Sequence, residues 1–473
     1  MKILYAASEA LPFASTGGLA DVAGSLPAAL VRAGHDVRVV MPLYSSIPTR
    51  FREQMTTAAE INVKLSWRNQ YCGIKTLVHD GVTFYFLDNE YYFKRASMYG
   101  SYDDGERYAF FCRAILEMMP AVSFFPDVLH ANDWQCALSV IYLKRNYNHI
   151  DEYADIKAIY TIHNIAYQGI YDIRTMGDIF ALNAWDRSIV EYDGALNLTK
   201  GAIVCCDRLT TVSPHYAEEI KDEPFACGLH YIIRDNAYKL SGILNGIDME
   251  YYNATLDPEI EQNFTAEDLS GKAACKAALQ SELGLPVNQE IPLIAMISRL
   301  VSHKGLDLVQ CVMEDILLDG AQFVMLGTGD LAYEQYFEEL AAKYPEQAAV
   351  LIKYDKSLSK RIYAGADLFL MPSKSEPCGL AQMIASRYAA IPIVRETGGL
   401  YDSIKPLNDL TGEGNGFTFT HYNAHDMLFT VRRAVNIRQD AARWDMLQKR
   451  AITMDFSWNA SSAQYVKLYE SVM

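Results

Sequence analysis

The sequence has no long hydrophobic run, no paired-cysteine motif and no excess of positive charge. No stretch approaches the roughly 18 consecutive apolar residues that a membrane-spanning helix needs. Glu9 interrupts the apolar start of the chain before any signal-peptide cleavage site, which indicates a buried first strand instead. The nine cysteines are scattered and include no C-x-x-C pair. This spacing argues against a disulfide framework or a cysteine zinc site, and it favours a reducing, cytoplasmic location.

Basic residues are too few for a nucleic-acid-binding protein. The 473 residues include 42 Lys+Arg and 58 Asp+Glu, which gives a formal net charge of −16. Such a chain repels a phosphate backbone unless it carries a local basic run, and none is present. Because half of the residues are hydrophobic and 21% are charged, the composition is typical of folded domains and excludes disorder. At roughly 100–200 residues per domain, the length predicts two to four domains.

Short apolar runs alternate with amphipathic segments in two parts of the chain. Apolar runs at Ile3–Ala7 and Val37–Met41 flank a helical pattern over Leu19–Ala33, which predicts a βαβ unit and a parallel sheet. A second series starts at Leu293–Ile297, after the polar stretch Asn253–Glu290. We therefore expect two doubly wound α/β domains facing each other across a cleft. The other predicted strands are Asp127–Ala131, Ile156–Ile162, Arg208–Val212, Gln322–Leu326, Val350–Tyr354, Leu368–Met371 and Ile391–Val394. The other predicted helices are Cys136–Lys144, Gly305–Leu318, Tyr333–Lys343, Ser359–Ala366 and Leu380–Tyr388.

Polar side chains recur directly after the predicted strands, where open parallel sheets bind ligands. Arg299 and Lys304 follow one strand, and two cations at one strand end suit a diphosphate whose charge grows as it leaves. Glu376 precedes a predicted helix and can accept hydrogen bonds from hydroxyl groups, although a first-turn acid that favours the helix dipole is an equal interpretation. His163 follows another strand, and its spacing alone does not separate a catalytic histidine from a core histidine.

Two glycine motifs are candidates for phosphate binding. Thr16-Gly17-Gly18 precedes a predicted helix, where backbone N–H groups can approach an anion. Gly327-x-Gly329-x-x-Ala332 matches a dinucleotide fingerprint, with Asp355 near the place of the ribose-binding acid. That pattern is the argument for an NAD-dependent oxidoreductase. Here the fingerprint follows the second predicted strand of the C-terminal α/β series, whereas it normally follows the first strand of a dinucleotide-binding domain. This position weakens the argument. Neither D-x-D nor H-E-x-x-H occurs, so no metal site is predicted.

Taken together, several motifs resemble the glycogen and starch synthase family of retaining glucosyltransferases with the GT-B fold. The resemblance runs along essentially the whole chain. The motifs are Thr16-Gly17-Gly18-Leu19-Ala20-Asp21-Val22, His130-Ala131-Asn132-Asp133-Trp134, Thr161-Ile162-His163-Asn164-Ile165-Ala166-Tyr167-Gln168-Gly169, Leu244-Asn245-Gly246-Ile247-Asp248, Ser298-Arg299-Leu300, Lys304-Gly305-Leu306-Asp307, Ser375-Glu376-Pro377-Cys378-Gly379-Leu380 and Thr397-Gly398-Gly399-Leu400.

The resemblance implies glucosyl transfer from ADP-glucose to the non-reducing 4-hydroxyl of an α-1,4-glucan such as glycogen. The anomeric configuration is retained, and neither a metal nor another cofactor is expected. The change in sequence pattern places the domain boundary near Leu244–Ile247, which gives an N-terminal Rossmann-like domain of residues 1–244. The resemblance puts this domain on the acceptor side and implies that residues 456–473 return to it. A C-terminal Rossmann-like domain of residues 245–455 is expected to bind the donor. Nothing in the sequence indicates the oligomeric state.

The resemblance also assigns roles to individual residues. Arg299 and Lys304 match cations that hold the diphosphate, Glu376 matches the carboxylate that orients the donor glucose, and His163 matches the residue beside the anomeric carbon. The catalytic set is therefore His163, Glu376, Arg299, Lys304 and Asp21. The donor-binding set is Ser15, Gly18, Asn245, Tyr354, Cys378, Gly379, Leu380, Thr397 and Gly398. The acceptor subsites are assigned to Asp133, Trp134, Asn164 and Gln168.

Two positions depart from the family pattern. Ser15 stands where the family usually has lysine, which removes a cation near the donor phosphates. Ala381 replaces a more common threonine. A UDP-glucose-using enzyme, or a glucan-binding relative with weakened donor affinity, is therefore an alternative. Front-face attack assisted by the departing phosphate and double displacement through Glu376 both stay open as mechanisms.

Overall fold

The computed structural model describes residues 1–473 and divides them into two compact units. Unit 1 contains Met1–Gly246 and Trp458–Met473, and unit 2 contains Ile247–Ser457. The chain thus leaves unit 1 once and returns to it for the last helix. The chain passes from one unit to the other after Gly246 and after Ser457. Both positions lie two residues after the predicted domain boundaries, which followed residues 244 and 455.

Unit 1 is built on a nine-stranded sheet and a small three-stranded sheet. Its strands are β1 (Lys2–Ala6), β2 (Asp36–Pro42), β3 (Thr56–Leu65), β4 (Arg68–His79), β5 (Val82–Asp88), β6 (Val128–Asn132), β7 (Lys157–Ile162), β8 (Ile170–Asp172), β9 (Glu191–Tyr192), β10 (Ala195–Asn197), β11 (Arg208–Thr211) and β12 (Leu240–Gly242). The large sheet has the order β12-β11-β7-β6-β1-β2-β5-β4-β3. All neighbours in it are parallel except β3 with β4 and β4 with β5.

The central strands of unit 1 are apolar because helices cover both faces of the sheet. Ile3, Leu4 and Tyr5 of β1 are completely buried, and every residue of β6 is buried. The helices are α1 (Gly18–Arg32), α2 (Thr49–Arg52), α3 (Glu90–Phe93), α4 (Asp104–Ala121), α5 (Asp133–Tyr142), α6 (Asp151–Ala154), α7 (Arg187–Val190), α8 (Leu198–Cys205), α9 (Pro214–Glu219) and α10 (His230–Asp235). Single turns of 3-10 helix span Ile173–Thr175, Ala184–Asp186 and Ala237–Lys239, and a π-helical turn spans Leu143–Tyr147.

Unit 2 contains a six-stranded, fully parallel sheet in the order β15-β14-β13-β16-β17-β18. Its strands are β13 (Leu293–Ile297), β14 (Gln322–Leu326), β15 (Ala348–Leu351), β16 (Leu368–Met371), β17 (Ile391–Arg395) and β18 (Phe417–Phe419). Its helices are α11 (Ser270–Glu282), α12 (Leu306–Leu318), α13 (Leu331–Lys343), α14 (Lys356–Gly365), α15 (Ala381–Arg387), α16 (Gly398–Ser403), α17 (Ala424–Arg438) and α18 (Ala441–Thr453), with a 3-10 turn at Ser302–Lys304. The prediction of two α/β domains is confirmed; the sheet of unit 2 is parallel, whereas that of unit 1 is mixed because β4 pairs antiparallel with β3 and β5.

The last helix, α19 (Trp458–Glu470), belongs to unit 1 and packs against α1. The Tyr469 hydroxyl lies 2.7 Å from Nδ1 of His130, which is a buried residue of β6. The end of the chain therefore contributes directly to the core of unit 1. No helix anywhere in the chain combines the length and the apolarity needed to cross a membrane.

Candidate active site

An ion pair between Lys304 and Glu376 lies at the carboxyl edge of the unit 2 sheet. Lys304 Nζ is 2.7 Å from Glu376 Oε2, and the Ser373 hydroxyl donates to the same oxygen at 2.9 Å. Glu376 is buried, which favours the neutral acid, but the charge of Lys304 and the two hydrogen bonds outweigh burial and lower the pKa of Glu376. The structure therefore holds an ionised carboxylate beside a fixed ammonium group.

Glycines allow the loops around this pair to pass close to each other. Gly305, directly after Lys304, has a left-handed φ of +74°, and a Cβ there would lie 2.1 Å from the Pro372 oxygen. Gly398 has a φ of +43°, and a Cβ there would lie 2.0 Å from the Glu376 oxygen. No other residue fits these two positions without moving the backbone of the Glu376 loop.

Arg299 differs from Lys304 because its side chain has no partner within the protein. It follows β13, is exposed, and its guanidinium makes no hydrogen bond or ion pair. Tyr354, beyond the end of β15, is 81% exposed and is likewise free to meet a ligand. The remaining predicted donor residues of unit 2 lie after β16 or β17: Cys378, Gly379, Leu380, Thr397 and Gly398. Because parallel strands end at one edge, these predicted residues are brought to the same edge of the sheet.

The glycine loop before α1 is open in the way an anion site requires. Gly17 and Gly18 are exposed, and a Cβ at either position would meet nothing within 4 Å. No side chain caps the start of α1, so its first N–H groups are available to a ligand. Ser15, just before this loop, is exposed. The fold itself does not require glycine at Gly17 or Gly18.

Glu9 anchors this loop, a role that sequence reasoning missed. Its Oε2 accepts from the Thr16 backbone N–H at 2.6 Å and from the Thr16 hydroxyl at 2.8 Å. Burial raises the pKa of Glu9 to about 7, the Thr16 bonds oppose the rise, and the charge of Asp21 in the first turn of α1 adds to it. The available signal was the position of Glu9 shortly after a buried strand.

His163 lies after β7 within a network of hydrogen bonds. Its Nε2 is 2.9 Å from Asn132 Oδ1, and its backbone N–H donates to Asp133 Oδ1 at 2.7 Å. Burial lowers the pKa of His163 to about 3, so the ring is neutral. Asp133 begins α5 with a left-handed φ of +55°, and burial raises its pKa to about 7. The structure thus brings two predicted residues together and adds Asn132, which had not been assigned a role.

Three predicted acceptor residues are engaged in contacts within unit 1. Trp134 packs against Tyr108 and Tyr171, with ring centroids 5.3 and 6.0 Å away. The Gln168 amide donates to two backbone oxygens and accepts from Asn197 at 2.7 Å, and Asn164 Oδ1 accepts from a backbone N–H at 3.0 Å. Their contact with sugar stays a prediction.

Asn245, predicted to bind the donor, is buried in unit 1 rather than in unit 2. Its Oδ1 has no hydrogen-bond partner in the structure. Its role stays a prediction.

The dinucleotide fingerprint has a structural explanation that does not involve NAD. A Cβ at Gly327 would lie 1.9 Å from the Ser298 oxygen, and one at Gly329 would lie 2.3 Å from the Leu300 oxygen. These glycines therefore let the turn after β14 pack on the segment after β13. The Asp355 carboxylate caps α14 through the Leu358 N–H at 2.9 Å instead of standing free for a ribose. No group of three or more His, Cys, Asp or Glu residues is arranged to hold a metal ion.

Comparisons with known proteins identify the family of the chain. Residues 2–235 match the family model of the starch synthase catalytic domain, and residues 283–449 match that of glycosyl transferases group 1. The chain is 47% identical to a glycogen synthase of Geobacillus thermodenitrificans, covering all of this chain and 98% of that one. It is 48% identical to a glycogen synthase of Bacillus cereus, with both chains covered completely.

Solved structures extend the comparison to the fold. The catalytic domain of starch synthase IV from Arabidopsis thaliana, bound to ADP and acarbose, has a TM-score of 0.91 and 34% identity, covering 100% of this chain and 99% of that one. Sucrose-phosphate synthase from Thermosynechococcus elongatus, at a TM-score of 0.63 and 15% identity, covers 99% of this chain and 98% of that one and shares the fold. The GT-B architecture predicted from the motifs is confirmed. The chain belongs to the glycogen and starch synthase family of glycosyltransferases.

Proposed function

We propose that the chain transfers glucose from ADP-glucose to the non-reducing 4-hydroxyl of an α-1,4-glucan, with retention of the anomeric configuration. The observation that carries the proposal is the Lys304–Glu376 pair beside an unpartnered Arg299. The relatives named glycogen synthase support the glucan as acceptor, and the starch synthase structure bound to ADP and acarbose supports the adenine nucleotide.

In this reaction Arg299 and Lys304 bind the diphosphate of the donor. Negative charge grows on the leaving phosphate oxygen as the glycosidic bond breaks, so the two cations stabilise the transition state more than the ground state. Lys304 is held by Glu376, whereas Arg299 is exposed and takes the phosphate as its partner. In unit 1, Gly18, which the resemblance assigns to the phosphates, begins α1 with uncapped N–H groups that suit an anion. No metal ion is part of the proposal.

Glu376 and His163 serve the glucosyl group itself. Glu376 accepts hydrogen bonds from sugar hydroxyls through the oxygen that Lys304 and Ser373 leave free, and the N–H groups of Cys378, Gly379 and Leu380 donate to the sugar. An ionised carboxylate and a neutral imidazole favour the positive charge of an oxocarbenium-like transition state. We propose front-face attack, in which the departing phosphate oxygen takes the proton of the acceptor hydroxyl.

The experiment is a donor comparison with the purified chain. ADP-glucose and UDP-glucose are each offered with glycogen, and release of nucleoside diphosphate and incorporation of glucose are measured. We expect ADP release that depends on glycogen, with new linkages that β-amylase digests. The double variant Arg299→Ala/Lys304→Ala is the control and loses the activity. Absence of transfer from either donor, or full activity of the double variant, contradicts the proposal.

Ser15 supports one alternative, an enzyme with weak donor affinity. Because no lysine stands at this position, the loop before α1 has one positive charge fewer for the phosphates than the family pattern provides. An enzyme that prefers UDP-glucose would show the opposite ratio in the same assay. A glucan-binding relative without catalysis would retain glycogen binding but release no nucleotide.

A further inference from the structure

The Asn132 side chain, at the carboxyl end of β6, is completely buried and fully hydrogen-bonded. Its Nδ2 donates to the backbone oxygens of Ala6 at 2.9 Å and of His130 at 3.4 Å. Its Oδ1 lies 3.0 Å from the Tyr5 hydroxyl and 2.9 Å from Nε2 of His163. Backbone oxygens only accept hydrogen bonds, so the NH₂ group must face Ala6 and His130. The amide therefore has one orientation.

This orientation determines which ring nitrogen of His163 carries the proton. Because Oδ1 of Asn132 is an acceptor, Nε2 of His163 is the N–H donor. Burial lowers the pKa of His163 to about 3, so the ring holds only this one proton. Nδ1 therefore keeps its lone pair. Nδ1 has no hydrogen-bond partner in the protein, and the His163 side chain is only partly buried, which leaves this nitrogen for a ligand.

The titratable neighbours of His163 leave this arrangement undisturbed. His130 is neutral because burial and the nearby His163 lower its pKa to about 3, and its ring nitrogens contact Thr161 at 2.6 Å and Tyr469 at 2.7 Å. Burial raises the pKa of Tyr5 far above its usual value, so Tyr5 stays a donor to Asn132. Asp133 accepts from the backbone N–H of His163 rather than from the ring.

We propose that Asn132 is a positioning residue for glucosyl transfer: it holds His163 in the Nε2–H form, with the Nδ1 lone pair facing the sugar that is being transferred. The inference rests on the proposed function, which supplies a sugar that gains positive charge in the transition state. A lone pair, or a hydroxyl that donates to it, stabilises this charge. An imidazolium at the same place adds a second positive charge and opposes it.

Two substitutions of Asn132 separate this role from simple packing. In Asn132→Asp one carboxylate oxygen still accepts from Nε2–H, whereas the other cannot donate to the Ala6 and His130 backbone oxygens. Where the carboxylate is ionised, its charge raises the pKa of His163 and makes the ring cationic at low pH. We expect its kcat to rise with pH through the new pKa and to come within roughly tenfold of the wild type above it. Asn132→Leu cannot fix the tautomer, so its kcat falls roughly 100-fold at every pH. The donor KM changes little in either variant.

Tyr5→Phe is the matched control. It removes the other donor to Oδ1 but leaves the amide orientation, and with it the tautomer, in place. We expect its kcat to stay close to that of the wild type and to show the same dependence on pH. Each variant is checked for cooperative unfolding. Equal losses in the Asp and Leu variants at every pH, or no loss in either, overturn the inference and assign Asn132 a purely structural role.

A measurement on the wild type avoids any variant that fails to fold. In protein labelled with ¹⁵N-histidine, the ¹⁵N shifts of His163, assigned by comparison with His163→Gln, distinguish protonated from bare ring nitrogens. We expect a protonated Nε2 and a bare Nδ1. The reverse tautomer overturns the role of Asn132 even where glucosyl transfer is intact. A wild type without transfer counts against the proposed function instead.

Discussion

Arg299 and Lys304 lie in the same loop after β13, but the protein holds them differently. Lys304 is the counter-charge of a buried carboxylate, whereas Arg299 is exposed and has no internal partner. Removing Lys304 therefore leaves Glu376 charged and unpaired inside unit 2, which costs about 3 kcal/mol of folding free energy. Removing Arg299 leaves no buried group unsatisfied. Substitutions of the two cations are therefore expected to differ in their effect on protein stability, even though both side chains stabilise the leaving group.

We predict that Lys304→Met lowers both the thermal midpoint and kcat, and that Arg299→Met lowers kcat alone. Each loss of kcat is expected to be roughly 10²–10³-fold, typical of one electrostatic stabiliser. Thermal unfolding and steady-state kinetics of the two variants, side by side, test this. An Arg299 variant as unstable as the Lys304 variant, or a Lys304 variant with undiminished kcat, contradicts the prediction.

Ser15 is the residue whose change is expected to improve the enzyme. It is exposed and precedes Thr16, whose backbone Glu9 fixes, so a lysine there starts from an anchored loop. We predict that Ser15→Lys lowers the donor KM roughly fivefold, about 1 kcal/mol, through a charge-assisted contact with phosphate. Ser15→Gln, of similar length but without charge, is the control and leaves KM unchanged. An unchanged or raised KM in the lysine variant argues against a phosphate near this position.

At the scale of elements, two helix starts differ in why they contain glycine. Gly18 begins α1 in open space, and Gly398 begins α16 against the Glu376 backbone with a left-handed φ. We predict that Gly18→Ala keeps the thermal midpoint but raises the donor KM roughly tenfold, about 1.4 kcal/mol, because the new methyl occupies the approach of the phosphates. Gly398→Ala is expected to lower the thermal midpoint, since the backbone must move. Equal effects of the two substitutions on stability contradict this distinction.

The elements predicted best from sequence are buried central strands. β13, β14 and β16 have the predicted bounds. Both faces of these strands are covered, so the buried part of each strand coincides with the apolar run in the sequence. β15, next to only one strand, was predicted as Val350–Tyr354 but spans Ala348–Leu351, since an edge strand is only partly buried and Tyr354 lies outside it. The antiparallel strands β3 and β4 mix exposed and buried residues and escaped prediction.

The candidate site could be predicted as a set of residues but not as a set of contacts. Glu376 and Lys304 follow different strands, and the motifs gave no distance between them. The start of α5 was placed at Cys136, whereas it begins at Asp133, because the left-handed backbone of Asp133 lets the helix follow β6 without a loop. Glu9 and Asn132 act through bonds to Thr16 and His163, which only the folded chain brings together.

At the scale of the whole molecule, buried titratable groups of unit 1 make stability depend on pH in opposing directions. Glu9 and Asp133 have pKa values raised to about 7, so folding loses stability as pH rises from their unfolded values, near 4, to 7. His130 and His163 have pKa values lowered to about 3, so folding gains stability as pH rises from about 3 to 6.5. Between about pH 4.5 and 6.5 these contributions oppose each other.

Glu9→Gln removes one of the unfavourable contributions and keeps an acceptor for Thr16. We predict that the free energy of unfolding of the variant, relative to the wild type, increases between about pH 4.5 and 7 by about 3 kcal/mol and is constant above that. Urea unfolding at a series of pH values measures this difference. Glu90→Gln, at an exposed glutamate of the same unit, is the control. A difference that does not vary with pH contradicts the titration assigned to Glu9.

The return of α19 to unit 1 sets an order of events during synthesis on the ribosome. The 211 residues from Ile247 to Ser457 are translated between the first and last parts of unit 1, which takes roughly 10–40 seconds at about 5–20 residues per second. Throughout this interval the nascent unit 1 has its whole nine-stranded sheet but lacks the helix that covers α1 and bonds His130. Unit 2 can mature first, although it emerges second. Until α19 has been synthesised, the surface of α1 that it covers in the folded chain stays uncovered.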